Sequence, residues 1–435
     1  MCPSAASPGL DLEQKYSALI DDLVRQSVTT GQHSWDSLLQ SLPGIYPTLV
    51  KESLERQGLI SRVHHSEGRG LLSVESQATK NSAGWEGDDF PTPHPLDSSW
   101  WFDSPTTNRL ILLMREFTST AEHVIFLGTP TLLAVASRAE DDRSFTLVDC
   151  DPLVTGPMRR VGRRVTVVRA DITNDSISLS PSKLIFSDPP WYDPEIRGFL
   201  WAARQACVID GHVMTSYPPI GTRPGIEQDW HRFIEWTRDL GLELCGIQRS
   251  VLSYLSPVFE QNALRAASMP SLGGPWRRGD LAVFRCVAES RCQRPPVVPV
   301  RGWSERTIGR IRIRLRAKDS VSGWEDPSLN PITKGDILRS VSRRDPLRAQ
   351  IDVWTSGNRV FACSGIGILR IILDSVASGG DSIREIRAVV QRELSADEEL
   401  IVRQTEAELT HLVQVEEGEL SEWRRKYARL DSVGN

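Results

Sequence analysis

The chain has 435 residues, of which 40% are hydrophobic and 25% are charged, and its formal net charge at pH 7 is -5. This length exceeds what one ordinary hydrophobic core holds, so two or three domains are expected in a globular protein. The acidic balance excludes a general attraction to nucleic acid or anionic lipid, and any such binding must come from a local patch.

The seven cysteines contain no Cys-x-x-Cys pair, which argues against a zinc module and against a disulfide framework. The first residues lack the basic start and apolar core of a secretory signal. No stretch approaches about 18 uninterrupted apolar residues, the length that a membrane helix needs. We therefore expect a cytoplasmic protein without a membrane span and without a metal.

Residues 12–75 predict a winged-helix-like domain, followed by a linker at 76–98. Ser34 suits a helix N-cap, Pro47 suits the first position of the next helix, and Gly58 suits its end. Helix, turn, helix and then a hairpin is the order of a winged helix. Such a domain either contacts nucleic acid or serves as a docking or dimer module, and both interpretations stay open.

Residues 99–288 alternate between apolar strand-like runs and helical pieces. Seven runs are typical of strands: 123–128, 144–149, 165–171, 183–188, 212–217, 242–252 and 280–286. This alternation predicts an α/β domain with a seven-stranded, mostly parallel, doubly wound sheet. In such sheets ligands bind outside the carboxyl ends of the strands, so the residues that follow each strand are the candidate site residues.

A proline-rich linker at 289–302 separates this domain from a C-terminal α+β domain at 303–435. The segment RIRIRLRAK alternates strictly and places four arginines on one strand face: Arg310, Arg312, Arg314 and Arg316. We expect this face to be solvated, with phosphate binding as the alternative. The later residues predict helices, with Ser382 and Glu385 as a capping box and a second winged helix as one candidate arrangement.

The first three strand ends carry residues suited to a nucleoside. Gly128 follows the first strand, where a glycine lets the backbone approach a ligand and aims a helix N-terminus at it. Asp149 ends the second strand about 20 residues later, where a carboxylate suits ribose hydroxyls. Asp171 follows the third strand and is placed to accept from an adenine amino group. For each acid, a turn or N-cap role is an equal alternative.

The fourth strand, KLIFSD, ends abruptly in Asp188, Pro189, Pro190 and Trp191, because proline cannot continue a ladder. The carboxyl end of this strand therefore presents one carboxylate, a stiff kink with free carbonyl groups, and a flat ring.

Two tyrosines are further candidates for substrate contact. Tyr192 directly follows the tetrapeptide, and Tyr217 ends the fifth strand before a rigid Pro218-Pro219 pair. This setting suits a flat or apolar group. Trp100 and Trp101, just before the first helix and strand of the sheet domain, either line a substrate mouth or are buried at a domain interface.

The ordered motifs resemble those of class I S-adenosylmethionine-dependent methyltransferases, and IFSDPPW is similar to the [Asp/Asn]-Pro-Pro-aromatic signature of amino-methyltransferases that modify adenine or cytosine. The resemblance implies a Rossmann-like methyltransferase fold with S-adenosyl-L-methionine at Gly128, Asp149 and Asp171. It also implies that Asp188 and the Pro189 carbonyl hold the target amino group while the aromatic ring stacks on a base, which is often flipped out.

Residues 15–290 also resemble the branched-chain polyamine synthases, the bis(aminopropyl)spermidine synthases. The resemblance rests on the N-terminal helix order and on the segments WFDSPTTNRLILLM, VIFLGTPTLLAVA, TLVDCDPLV and IFSDPPWYDPEIRGFLWAA. That family transfers an aminopropyl group from decarboxylated S-adenosylmethionine to a polyamine. Its members carry acids after strands one and four, where this chain has Thr129, Pro130 and Trp191. Cationic substrates favour carboxylates, so the substrate chemistry looks changed.

The leading hypothesis is therefore an S-adenosylmethionine-dependent transferase that methylates an amino nitrogen of a nucleic-acid base. Aminopropyl transfer to a polyamine is the first alternative, and a non-catalytic, methyltransferase-like interaction protein is the second. The expected partners are nucleic acid or a small amine, and a protein partner or a second copy through the terminal domains.

Overall fold

In a computed structural model the described residues are 8–28, 33–42, 44–64, 90–97, 99–138, 142–296, 302–317 and 323–433. The predicted wing beyond residue 64 and most of the predicted linker at 76–98 lie outside them. Among the described residues, no helix combines the length and the apolar composition that crossing a membrane requires.

The N-terminal module, residues 8–64, is helical. Its elements are α1 (Pro8–Ser27), β1 (His33–Ser34), α2 (Trp35–Ser41), α3 (Pro47–Arg56) and β2 (Val63–His64). Ser34 caps α2 as predicted, because its hydroxyl accepts from the Ser37 backbone N–H at 3.1 Å. Pro47 opens α3, and Gly58 follows its end with a φ of +66°.

The sheet domain contains all seven predicted strands. Its elements are α4 (Ser104–Phe117), β3 (His123–Leu127), α5 (Pro130–Ala136), β4 (Ser144–Asp149), α6 (Pro152–Met158), β5 (Val165–Arg169), β6 (Ser182–Ser187), α7 (Asp193–Ala206), β7 (Cys207–Tyr217), α8 (Ile226–Asp239), β8 (Leu242–Tyr254), α9 (Val258–Ala266) and β9 (Arg277–Cys286). The N-cap of α4 is Asp103, which accepts from Thr106 N at 2.9 Å. Ser104 and Thr106, which also have side chains suited to an N-cap, lie inside the helix.

The strand order in this sheet is β5-β4-β3-β6-β7-β9-β8. The strands β5, β4, β3, β6 and β7 pair in parallel, and β9 pairs antiparallel with both β7 and β8. The sheet is therefore mixed, and the fold is the predicted α/β Rossmann-like fold. Chain order reverses at β3, which lies between β4 and β6, and this is where such folds bind ligands.

Strand β3 shows why the predicted runs are continuously apolar. Val124 and Phe126 belong to the core on the α4 and α5 side of the sheet, and Ile125 and Leu127 to the core on the α7 side. A strand covered on both faces has no solvent side, so alternation disappears.

The C-terminal domain begins with strands and ends with helices. Its elements are β10 (Trp303–Ile308), β11 (Ile311–Arg316), β12 (Asn330–Pro331), β13 (Val353–Thr355), β14 (Val360–Ala362), α10 (Ile366–Ser378), α11 (Ser382–Val390) and α12 (Ala396–Val433). The strands form one antiparallel sheet in the order β10-β11-β13-β14-β12. A winged helix has its strands after its helices, whereas the strands of this domain precede α10, α11 and α12. The element order of the domain therefore differs from that of the winged helix considered above.

The capping box expected for α11 is replaced by another arrangement. Asp381 is the N-cap and accepts from Arg384 N, while Glu385 accepts from the Ser375 hydroxyl at 3.0 Å. Ser382 is the first residue of the helix and is buried. Asp381, one position earlier, is the N-cap because its carboxylate is a stronger acceptor than a serine hydroxyl for the free N–H groups of the first turn.

The predicted arginine face is solvated only in part, because Arg310 is exposed whereas the guanidinium groups of β11 are paired. Arg312 is only 2% exposed, and it pairs with Asp97 at 2.8 Å and with Asp151 at 3.0 Å. Arg314 pairs with Asp97 as well, and Glu305 of β10 pairs with both arginines. Because Asp151 belongs to the sheet domain and Asp97 to the segment before it, Arg312 and Arg314 join the C-terminal domain to those parts of the chain instead of facing water or phosphate.

Candidate active site

A cavity of about 360 Å³ opens beside the carboxyl end of β6. Its wall includes residues from 44–52 of the N-terminal module, residues 188–192 after β6 and residues 340–344 of the C-terminal domain. Further lining side chains come from the rest of the sheet domain, among them Trp100, Arg223, Tyr254, Phe259, Trp276 and Arg277. We call it the central cavity. Its volume is in the range of small-molecule sites, and it lies at the strand end that the sequence singled out.

Asp188 is tied to the switch point of the sheet and to two hydroxyl groups. Its backbone N–H donates to Leu127 O at 3.0 Å, which joins it to the end of β3. Its Oδ1 accepts from Ser216 Oγ at 2.5 Å and from Tyr254 OH at 2.8 Å. Both of these bonds go to one oxygen, so the second oxygen is left for a group in the cavity that Asp188 lines.

Burial raises the pKa of the Asp188 carboxyl to about 7, and the hydrogen bonds from Ser216 and Tyr254 oppose that shift. Burial and the nearby Asp188 charge raise the pKa of Tyr254 well above its ordinary value, so its hydroxyl remains a donor. The carboxyl therefore titrates close to neutral pH, as general bases commonly do.

Trp191 forms a flat wall of the central cavity. Its indole Nε1 donates to Ser216 Oγ at 3.2 Å, and its ring meets that of Tyr254 edge-on at 5.5 Å. Pro189 and Pro190 line the cavity beside it. Ser216 thus positions both the carboxylate and the indole, which fixes the distance between them.

Tyr192 also lines the cavity, and the Arg343 guanidinium lies 4.2 Å from its ring centroid. Tyr217 does not join it. Its buried ring packs against Trp230 at 4.5 Å and Phe233 at 5.0 Å on α8. Side chains alternate along β7, so Ser216 faces the site and Tyr217 faces the core.

Gly128 brings the end of β3 against the Asp188 backbone. Its φ is +65°, and a Cβ there would lie 3.1 Å from Phe199 Cε1 and 3.3 Å from Asp188 O. A glycine is required on both counts. Gly128 is thus adjacent to the tetrapeptide, although it does not itself line the central cavity.

Asp149 ends β4, and its Oδ1 accepts from the Asp151 backbone N–H at 2.8 Å. Burial raises the pKa of its carboxyl to about 7, and the nearby Asp151 and Asp97 charges add to the rise. A poorly hydrated carboxylate of this kind is stabilised by donors such as vicinal ribose hydroxyls.

Asp171 is engaged in a turn of its own. Its Oδ1 accepts from Thr173 N, Thr173 Oγ1 and Asn174 N, and its Oδ2 accepts from Asn174 Nδ2 at 2.8 Å. A carboxylate offers about four acceptor positions, so an adenine amino group would have to displace one of these donors. Gly128 and Asp149 fit a nucleoside cofactor better than the Asp171 side chain does.

Sequence reasoning missed the second polar cluster of the cavity. Arg277 lies 3.7 Å from the Trp100 ring centroid and 5.0 Å from that of Trp276. Its Nη2 lies 3.2 Å from Oε1 of Glu260, whose Oε2 accepts from Trp276 Nε1 at 3.1 Å. The sequence feature that could have indicated this cluster was the Trp100-Trp101 pair, and Trp100 lines the cavity.

The other arginines that line the cavity are paired with acids. Arg223 meets Asp229 at 2.6 Å, Arg344 meets Glu13 at 2.6 Å, and Arg343 pairs with Glu195. Paired arginines add little net positive potential, although their planes still stack on rings. In the part of the chain that the structure describes, no group of three or more His, Cys, Asp or Glu residues is arranged to hold a metal ion.

No family model and no curated protein matches the chain. Among solved structures, the branched-chain polyamine synthase from Thermus thermophilus, in complex with N4-aminopropylspermidine and 5'-methylthioadenosine, is 13% identical, with 66% of this chain and 96% of that chain covered and a TM-score of 0.49. A TehB-like SAM-dependent methyltransferase from Corynebacterium glutamicum is 17% identical, with 42% and 87% covered and a TM-score of 0.29. TrmN from Thermus thermophilus is 14% identical, with 42% and 48% covered and a TM-score of 0.29. Likenesses of this size carry no argument about activity, which rests on the chemistry of the site.

Proposed function

We propose that the protein is an S-adenosyl-L-methionine-dependent transferase that methylates an amino nitrogen of a flat, nucleobase-like ring. The observation that carries the proposal is the joint placement of Asp188 and Trp191. A buried carboxylate with one free oxygen and an indole face line the same cavity, and one hydroxyl, that of Ser216, holds both.

Each residue has a defined task in this proposal. The free oxygen of Asp188 accepts a hydrogen bond from the amino group and so raises the electron density on its nitrogen. Trp191 stacks on the ring and fixes its plane, and Tyr192 supports the same wall. Ser216 and Tyr254 hold the carboxylate in orientation.

Gly128 and Asp149 would hold the cofactor. Gly128 lets the backbone approach it closely, and Asp149 accepts from the ribose hydroxyls. The cofactor supplies a methyl group on a positively charged sulfur. Because Gly128 lies against the Asp188 backbone, a group bound there would be adjacent to the amino nitrogen that Asp188 holds.

The lining of the cavity favours a ring over a polyamine. A tetra-amine would need several carboxylates, whereas the lining offers Asp188 and Glu52 together with rings and paired arginines. The pairing of those arginines also leaves little charge for a long polyanion, so the acceptor suits a base or nucleoside better than a bound nucleic-acid strand.

Calorimetry with S-adenosyl-L-methionine and with its decarboxylated form, side by side, tests the proposal. We expect the methyl donor to bind and the decarboxylated form to bind more weakly. Preferential binding of the decarboxylated form would favour aminopropyl transfer. Binding of neither would favour the non-catalytic interaction protein and would refute the enzyme.

A further inference from the structure

Three residues that line the central cavity each have a buried side-chain atom without a hydrogen-bond partner, within the part of the chain that the structure describes. These atoms are the hydroxyl of Tyr46, Nε of Arg277 and Nε of Arg223. Tyr46 and Arg277 lie together beside Trp276, whose ring contacts both. Buried polar groups without a partner cost free energy, and they are commonly satisfied by a ligand or water.

The two donors come from different parts of the chain and are held rigidly. Tyr46 precedes α3 and meets the Trp276 ring edge-on at 5.4 Å. Arg277 is clamped between the Trp100 face and the fully buried Glu260. Trp276 contacts both, because its ring packs on Tyr46 and its Nε1 binds Glu260. The N-terminal module is thus part of the site.

The charge of this cluster decides what it can bind. The Glu260 carboxylate already balances the Arg277 guanidinium, with 3.2 Å between Oε1 and Nη2. An anion would meet no net positive charge here, whereas a neutral oxygen can accept from an N–H and an O–H together. The fitting ligand group is therefore a carbonyl oxygen.

Trp191 links this cluster to Asp188. Its indole N–H binds Ser216 beside the carboxylate, and its ring centroid lies 5.6 Å from Cζ of Arg277. A ring stacked on Trp191 can therefore present an amino group to Asp188 and another edge to the two donors. Resting on the proposed function, we propose that the acceptor ring carries a carbonyl oxygen besides its amino group, and that Tyr46 and Arg277 recognise that oxygen.

The test compares two aminopyrimidine rings, of which only one carries that oxygen. The full-length protein is titrated with 4-aminopyrimidin-2-one and with 4-aminopyrimidine, and ligand-observed NMR gives each dissociation constant. We expect the carbonyl-bearing ring to bind about tenfold more tightly or better, because its absence leaves two buried donors unpaired.

Two conservative variants assign the preference to the named donors. Tyr46→Phe removes the hydroxyl, and Arg277→Lys keeps a charge beside Glu260 while removing Nε. Each should reduce the preference to about threefold or less and leave the affinity for 4-aminopyrimidine nearly unchanged. Tyr217→Phe, a buried tyrosine in the sheet core, should keep the full preference.

Equal affinity of the wild type for the two rings, or no binding of either, would overturn the inference. So would variants that keep the full preference. These outcomes differ from failure of the proposed function, which is decided by cofactor calorimetry. Cofactor binding without a ring preference would support the transferase and refute the carbonyl subsite. A ring preference without cofactor binding would support the subsite and refute the transferase.

Discussion

Tyr254 donates a hydrogen bond of 2.8 Å to Oδ1 of Asp188 across 66 residues of sequence. The tyrosine ends β8 and the aspartate follows β6, and these strands are not neighbours in the sheet. The bond therefore joins the ends of two strands that are separated in the sheet by β7 and β9. It turns a strand-end acid into a carboxylate with one fixed oxygen and one free oxygen.

Asp188→Ala should abolish transfer and leave cofactor affinity within about twofold. The variant loses the acceptor for the amino group, and removal of one such group typically costs about 100-fold or more in rate. Single-turnover kinetics and calorimetry measure the two quantities. Asp239→Asn, an exposed acid at the end of α8, is the matched control and should behave as wild type. An Asp188→Ala enzyme that stays active would refute the assigned role.

The rate of transfer should rise with pH through about 7. Burial raises the pKa of the Asp188 carboxyl to about 7, and the ionised form is both the stronger acceptor for the amino group and the form that can take up its proton. At lower pH the proton occupies the carboxyl, and kcat/KM falls. A profile of kcat/KM that stays flat from pH 5 to pH 9, about two pH units on either side of this pKa, would contradict the assignment.

Tyr254→Phe should move that rise to higher pH. The tyrosine hydrogen bond lowers the pKa of Asp188, so its loss lets burial raise the pKa further. The same kcat/KM profile measures the shift. Tyr217→Phe serves as the control, because its ring lies in the core against α8 and the profile should stay in place.

Trp191→Ala should raise KM for the acceptor by about 10- to 100-fold, since stacking of a base on an aromatic ring is worth about 1–3 kcal/mol. Initial rates at varied acceptor concentration measure the change. Trp236→Ala is the control, because this tryptophan of α8 packs near Phe233 and Arg197 away from the cavity. Equal KM values for the two variants would show that Trp191 does not contact the acceptor.

Gly128→Ala should cost more than Gly58→Ala, although the two glycines have φ values of +65° and +66°. The shared left-handed conformation costs an alanine about 1–2 kcal/mol. Only at Gly128 would the new methyl press on Phe199 and on the Asp188 carbonyl, whereas nothing lies within 4 Å at Gly58. Urea unfolding compares stability, and calorimetry should show weaker cofactor binding for Gly128→Ala alone.

Arg312→Met should destabilise the protein by about 3–5 kcal/mol, because it leaves the buried Asp151 without its cation and Asp97 with Arg314 alone. Urea unfolding measures the loss. Arg310→Met changes an exposed arginine two residues earlier, and it should shift stability by about 0.5 kcal/mol or less. Equal losses in the two variants would show that the interface does not depend on Arg312.

The central strands of the sheet domain were predictable because they are apolar runs that end at a polar residue, such as HVIFL before Gly128 and KLIFS before Asp188. The position of Asp188 and Trp191 at a strand end was also predictable, because the Pro189-Pro190 pair between them cannot continue a strand. Ser216 was missed in favour of Tyr217, because the side of a buried strand that each residue faces depends on register. No local pattern reveals register in a strand that is apolar on both faces.

The other residues were beyond sequence reasoning for a different reason. Tyr46, Tyr254 and Arg277 reach the cavity only through the docking of separate elements, and no spacing along the chain encodes that docking. The arginines of β11 show the same limit. Their alternation predicts one polar face, but whether that face meets water or the acids Asp97 and Asp151 depends on which domain lies opposite.

The cavity wall draws on several separate stretches of the chain, and this has an evolutionary consequence. Under the proposed function, residues 188–192 are constrained by their contact with the reacting amino group, whereas residues 44–52 and 340–344 contact other parts of the acceptor. Substitutions in these two stretches would therefore change which ring is accepted while Asp188 stays in place. Divergence among descendants of this architecture should accumulate at the periphery first.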